Sequence, residues 1–160
     1  MEGVDVKYHE AGHAVVAHLV GCTLIRVSAR PNGAELGHTE QSRPRGRYRH
    51  FDALTVTYAG HAATAIRNGT PPPLLDTRAP WPQVIDGDFL VADSIVKRMH
   101  RRINDGEDVK RRCRVRAQRL LSMPAHWRAV EAIVTGLSEH NVLDGSEAHR
   151  IITASIARGL

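Results

Sequence analysis

The chain has 160 residues, which suits one domain with its own core at the usual ~100–200 residues per domain. Its 42% apolar content is ordinary for a soluble protein, and no apolar run reaches the ~20 residues that a membrane-spanning helix requires. The net charge of +5 comes mostly from arginines gathered in Arg43 to Arg49 and Arg98 to Arg119; the second cluster follows one side of an amphipathic pattern without interleaved aromatics, so it reads as a solvated helix face, not a nucleic-acid surface.

In chain order, Val4 to Val20 is proline-free and nearly all apolar from Ala11 onward, which predicts a buried helix closed by Gly21. Thr23 to Ala29 then alternates, with Ile25, Val27 and Ala29 on one face and Arg26 and Ser28 on the other. Pro31-Asn32-Gly33 supplies turn chemistry and Ala34 to Gln41 can return as a more polar strand, so a small hairpin is expected. Ser42 to His50, basic and containing Pro44 and Gly46, reads as an exposed loop.

Phe51 to Asn68 resumes a helical period with Leu54, Tyr58, Ala62 and Ala65 on one side and Gly69 at the C-terminal cap. Its small residues Ala59, Gly60, Ala62 and Ala63 permit close packing against another helix. The prolines of Thr70 to Pro82 exclude regular helix or central strand there and predict a rigid surface excursion. Asp88 to Ile103 is helical in period, and Asn104-Asp105-Gly106 ends it. Three further helices are marked by Val109, Cys113, Ala117, Leu120 and Leu121, by Trp127, Val130, Ile133, Val134 and Leu137 after Pro124, and by Ile151, Ile152 and Ile156 after a capping-box-like Asp144 and Glu147. The fold class expected is mainly α (α+β), a single domain over residues 1–160 with one small sheet. Cys22 and Cys113 form no CxxC pair and read as reduced, buried thiols. The start has no basic segment followed by an apolar one, so no secretory signal is read and the expected location is cytoplasmic.

The sharpest chemical signal is His9-Glu10-Ala11-Gly12-His13, an HExxH pattern. Histidines four residues apart on a helix stand one turn above each other and reach one metal ion, while Glu10, about 100° around the helix, flanks that face as a catalytic base. Zinc lowers the pKa of a bound water to about 7 and polarises a scissile carbonyl, and the carboxylate shuttles the proton to the leaving amine. Inside an otherwise apolar helix, two imidazoles and a carboxylate are costly without a partner, which favours a metal site over chance. His18, about 180° from His9, is not counted as a ligand. A third protein ligand is needed, and Asp86, Asp88, Asp93, His61 and His100 are all open on spacing alone.

Tyr8-His9-Glu10-Ala11-Gly12-His13-Ala14-Val15-Val16-Ala17 resembles the zinc helix of the M41 peptidases, the protease domains of membrane-bound AAA proteases of the FtsH type. Ile25 to Thr39 is similar to the strand pair after that helix, Tyr58-Ala59-Gly60-His61-Ala62-Ala63 to the family's second helix, and Leu137 to Glu147 to its C-terminal helical hairpin. The resemblance implies a zincin-like helical domain and a zinc metallopeptidase. It also implies Asp88 as third ligand, because Gly87-Asp88-Phe89-Leu90-Val91-Ala92-Asp93 matches the family's Asn-Asp-Leu-x-x-Ala-Thr pattern at the aspartate and the alanine. Substrate held as an extended strand would implicate Gly37 and Thr39.

The departures are specific. Thr64 and Ala65 stand where the family has acidic residues, which bears on outer support of the site. No phosphate-binding GxxxxGK[ST] is present, so the domain acts without ATP-driven unfolding, or an ATPase partner is a separate chain, or the ATPase belongs to a part of the protein outside this sequence; a standalone relative, alone or as a homo-oligomer, is the preferred reading. The function expected is a Zn2+-dependent endopeptidase acting on flexible or unfolded polypeptide. The alternatives are a catalytically weak binding module that contacts protein or nucleic acid through its arginines, and a protease for one specific regulator. A His, His and Asp donor set also accepts iron, cobalt or nickel.

Overall fold

The computed structural model describes residues 3–33, 35–69, 87–99 and 106–158, and within them the chain is mainly helical with one small antiparallel sheet. The expected proline-rich excursion at Thr70 to Pro82, the candidates Asp86 and His100, and the turn residues Asn104 and Asp105 lie outside the described residues.

The first helix, α1 (Gly3–Leu19), is buried at Val6 and continuously from His9 to Ala17. A helix buried on all sides needs neighbours on all sides, and α1 packs against α2 (Arg49–Arg67), α5 (Pro124–His140) and strand β1 (Leu24–Ser28). The contact with α2 is unusually close. A Cβ at Gly12 would stand 2.5 Å from the Ala59 carbonyl oxygen and 2.6 Å from the Ala63 Cβ, so the small residues of both helices set their spacing.

Strand β1 pairs antiparallel with β2 (His38–Gln41) through a turn in which Gly33 has a φ of 64° and Asn32 bridges Glu35. The returning strand is thus shorter than Ala34 to Gln41. The expected alternation of β1 fails at Ile25 and at Ser28, which is buried beside Val27. The register shifts between Leu24 and Arg26, leaving Ile25 as the extra residue of a bulge, 51% exposed, while Leu24 and Val27 face the core.

A third strand, β3 (Val142–Asp144), was not expected from the sequence; it pairs antiparallel with the other edge of β1, giving the order β2-β1-β3. It replaces the middle of the expected helical hairpin. Its entry is set by Asn141, which ends α5 in the left-handed conformation and donates its backbone N–H to the Leu137 carbonyl at 2.9 Å. Its exit is Asp144, the N-cap of α6 (Gly145–Ala157), whose carboxylate accepts from the Glu147 N–H at 2.8 Å. Gly145 has no alternative there, because a Cβ would lie 1.9 Å from the Leu24 carbonyl oxygen.

Helices α3 (Gly87–Met99) and α4 (Gly106–Ser122) close the far side of α2. The core is completed by Leu54, Leu121, Ile133, Leu137, Leu143 and Ile152, all fully buried, and truncating any one to alanine should cost about 2–5 kcal/mol. The basic face of α4 is extensively paired within the molecule. Lys110 meets Asp93 and Glu107, Arg111 and Arg112 meet Asp108, Arg116 meets Asp52 at 2.6 Å, and the Arg114 guanidinium lies over the Tyr58 ring. Cys22 and Cys113 are free and buried, and burial pushes both thiols up, Cys113 to about 11. No helix among the described residues is long and apolar enough to cross a membrane.

Candidate metal centre

Three helices meet at one cluster of polar side chains inside this apolar core. Helix α1 contributes His9, Glu10 and His13, each no more than 9% exposed. The first turn of α3 contributes Asp88, whose carboxylate also suits the positive end of the helix dipole. Between them runs α2 with Gly60 at the point of contact. A Cβ there would lie 2.5 Å from His13 Nε2 and 2.6 Å from His9 Nε2, so only glycine lets the backbone of α2 pass this close to both rings.

The donor atoms converge. His9 Nε2 and His13 Nε2 lie 3.0 Å and 3.2 Å from Asp88 Oδ2 and 3.1 Å from each other. Tetrahedral coordination with bonds of about 2.0–2.1 Å separates donor atoms by about 3.3 Å, so a triangle with these edges fits zinc or another small divalent ion. The tautomer fits as well. The Val56 carbonyl can only accept, so at 2.7 Å it takes the proton of His13 Nδ1, and in the neutral ring the Nε2 lone pair faces the donor triangle.

His61 belongs to the same cluster. Its Nε2 lies 3.6 Å from Asp88 Oδ2, and donor atoms of His9, His61 and Asp88 all lie within 4.8 Å of one another. Two overlapping ligand triples therefore share His9 and Asp88. The one with His13 has the tighter edges and is the better three-ligand set. Of the remaining candidates, Asp93 pairs with Lys110 on the outside of the bundle; His18, not counted as a ligand, faces His149 with ring centroids 4.7 Å apart.

The electrostatics are those of a charged cluster out of water. Burial by itself opposes a protonated His13, but the charge and hydrogen bond of Asp88 override it and raise the imidazole to about 9. Burial likewise pushes Asp88 toward its neutral form, and the His13 and His9 rings hold its carboxyl far below the usual carboxylate range. A divalent cation placed among the donors takes over the role of that proton.

Glu10 sits beside the triangle and is itself fixed. The Thr39 hydroxyl donates to Glu10 Oε2 at 2.7 Å, and Gly37 passes so near that a Cβ would meet Glu10 Cγ at 2.8 Å and Oε1 at 2.9 Å. The two residues expected to line a substrate strand thus lie against the carboxylate, with Thr39 facing inward from β2. The sequence reading did not anticipate this contact, and the three-residue spacing of Glu10 to His13 contains no signal for it. At Thr64, where the resembled family has an acidic residue, the hydroxyl donates to the Gly60 carbonyl of its own helix at 3.2 Å. His9 Nδ1 is buried with no hydrogen-bond partner among the described residues, so the outer support of His9 differs from that of His13.

Neither a family model nor a curated protein matches the chain.

Proposed function

We propose that the chain is a zinc-dependent endopeptidase that hydrolyses flexible or unfolded polypeptide, in the manner of the M41 peptidases that it resembles. The observation that carries this reading is the triangle of His9 Nε2, His13 Nε2 and Asp88 Oδ2, at 3.0–3.2 Å, with the Glu10 carboxylate buried beside it. A metal site that only held the fold together would not need that carboxylate.

His9, His13 and Asp88 would hold the ion, which when bound supplies Lewis acidity toward a peptide carbonyl and a water. Glu10 accepts a proton as the water attacks and returns it to the departing amine. Thr39 keeps Glu10 Oε2 in place, so the carboxylate does not have to find its rotamer during the reaction. Strand β2 is an edge of the sheet, and an extended peptide added along it would run next to Thr39 and hence to Glu10. The pairing of the α4 arginines with Asp52 and Asp108 weakens the alternative of a nucleic-acid-binding module.

The test is metal content of the purified chain against Asp88→Ala, followed by cleavage of an unfolded protein with Glu10→Gln as control. About one zinc per native chain, less in the Asp88 variant, and cleavage lost with zinc retained in Glu10→Gln are the expected results. A native chain that takes up no metal from a zinc-containing buffer overturns the proposal.

A further inference from the structure

We infer that His61 Nε2 is a fourth protein ligand of the same ion, so that the resting centre is closed by His9, His13, Asp88 and His61. The inference rests on the metal reading above and adds to it a residue that the HExxH pattern does not contain.

Three imidazole Nε2 atoms surround a single carboxylate oxygen: those of His9, His13 and His61 lie 3.0, 3.2 and 3.6 Å from Asp88 Oδ2. The His9 ring meets both of the others nearly edge to face, at 79° to His13 and 89° to His61, with centroids 4.7 and 4.9 Å away. Asp88 Oδ2 is thus the common neighbour of all three Nε2 atoms, and donor atoms of His9, His61 and Asp88 lie within 4.8 Å of one another. Backbone geometry explains why His61 arrives there. Gly60 brings α2 against the two α1 histidines, and the next residue necessarily leaves the helix beside them. The ring also stacks on Phe89, 4.9 Å away and the neighbour of Asp88 in α3. Its side chain is only 14% exposed.

The chemical consequence follows from coordination number. Zinc with four protein donors is a closed centre, whereas hydrolysis requires one position for water or substrate. His61 therefore occupies the position that a peptide carbonyl or water must take, and the centre opens only when the imidazole yields it. A zinc-chelating hydroxamate has to displace His61 in the native chain and would find the position open in its absence.

X-ray absorption of the zinc-loaded chain counts imidazoles directly. Three per zinc are expected, falling to two in His61→Gln, where circular dichroism checks that the helices persist. Chelator competition should show zinc affinity lowered by more than the ~10–100-fold typical of losing an outer hydrogen-bond partner. The visible spectrum of the cobalt-loaded chain should respond to acetohydroxamate at lower concentration in the variant than in the native chain. Two imidazoles in the native chain, unchanged in His61→Gln, overturn the inference and leave the three-ligand centre standing. A native chain that binds no metal overturns both.

Discussion

Replacing Gly60 with alanine sets helix propensity against the proposed metal centre. In a helix interior alanine is favoured over glycine by about 0.8–1 kcal/mol, and Gly60 lies well inside α2. The added methyl, however, would stand 2.5 Å from His13 Nε2 and 2.6 Å from His9 Nε2, where ordinary contact begins at 3.4 Å. Both rings must therefore retreat by about 0.9 Å, against a tolerance of roughly 0.2 Å in metal–ligand distances. His13 cannot swing away without giving up its 2.7 Å bond to the Val56 carbonyl, a loss of about 1 kcal/mol. That loss nearly cancels the propensity gain, so the metal-free variant should melt within a few degrees of the native chain at about 2–4 °C per kcal/mol for a domain of this size. Zinc affinity should fall by at least about 100-fold, the scale on which a 1 Å misplacement is felt. Circular dichroism melts with and without a chelator, together with competition against a zinc indicator, separate the two effects. Gly12→Ala is the contrasting case: its methyl meets the Ala59 backbone carbonyl at 2.5 Å, so it should cost about 1–3 kcal/mol of overpacking whether or not metal is present. An alanine at position 60 that binds zinc as tightly as the native chain would refute the placement of the two rings over the α2 backbone.

Thr39→Val removes a hydroxyl at nearly constant volume and should leave zinc content unchanged while slowing peptide hydrolysis by about 10–100-fold, the value of one hydrogen bond to a charged group; Thr39→Ser should restore most of the rate, and equal rates for valine and threonine would remove Thr39 from the machinery. The metal-free chain should show a stability plateau bounded on both sides. His13, raised from 6.5 to about 9, contributes fully below pH 6.5 and loses its contribution as pH rises through about 9, while Asp88, held below its ordinary 3.8, contributes above that value and loses its contribution in stronger acid. Melting temperatures of the chelated protein from pH 3 to 10 check this, on the order of one proton should be released per zinc bound near pH 7, and a melting temperature that rises between pH 7 and 10 contradicts the His13–Asp88 pairing.

The parts of the site that lie within one helix turn were readable because the geometry is local: residues 9 and 13 share a face whatever the fold. Asp88 was different. Nothing in spacing selects it over Asp93, and its place depends on the path of α2 and α3, so only the resemblance to a family motif favoured it. His61 could be entered as a candidate but not chosen, because its approach depends on how closely Gly60 lets α2 meet α1. Failures in the sheet have the same origin. Alternation put Ile25 on the same face as Val27, yet a bulge in its pairing with β2 turns it outward, and β3 is too short to show any period of its own. It exists because β1 offers a free edge where α5 has to turn into α6, and Asp144 serves as both its last residue and the cap of the next helix.

The arrangement as a whole also bears on why such a cluster persists in the core. Helix α1 is buried from residue 9 to residue 17, and within that stretch the chain takes two imidazoles and a carboxylate out of water, then adds Asp88 from α3 and His61 from α2. Buried ionic groups of this kind commonly give no more stability than well-packed apolar side chains of the same volume. Packing alone would therefore favour aliphatic side chains at these positions, as in α5, where Ala129, Val130, Ile133 and Leu137 fill the core. What the polar cluster has instead is a set of donors at coordination distance, a tautomer fixed by Val56, a carboxylate held by Thr39 and two glycines, Gly37 and Gly60, whose missing side chains make room for it. None of these features improves the core as a core, and all of them suit the proposed binding of a divalent cation with a base beside it.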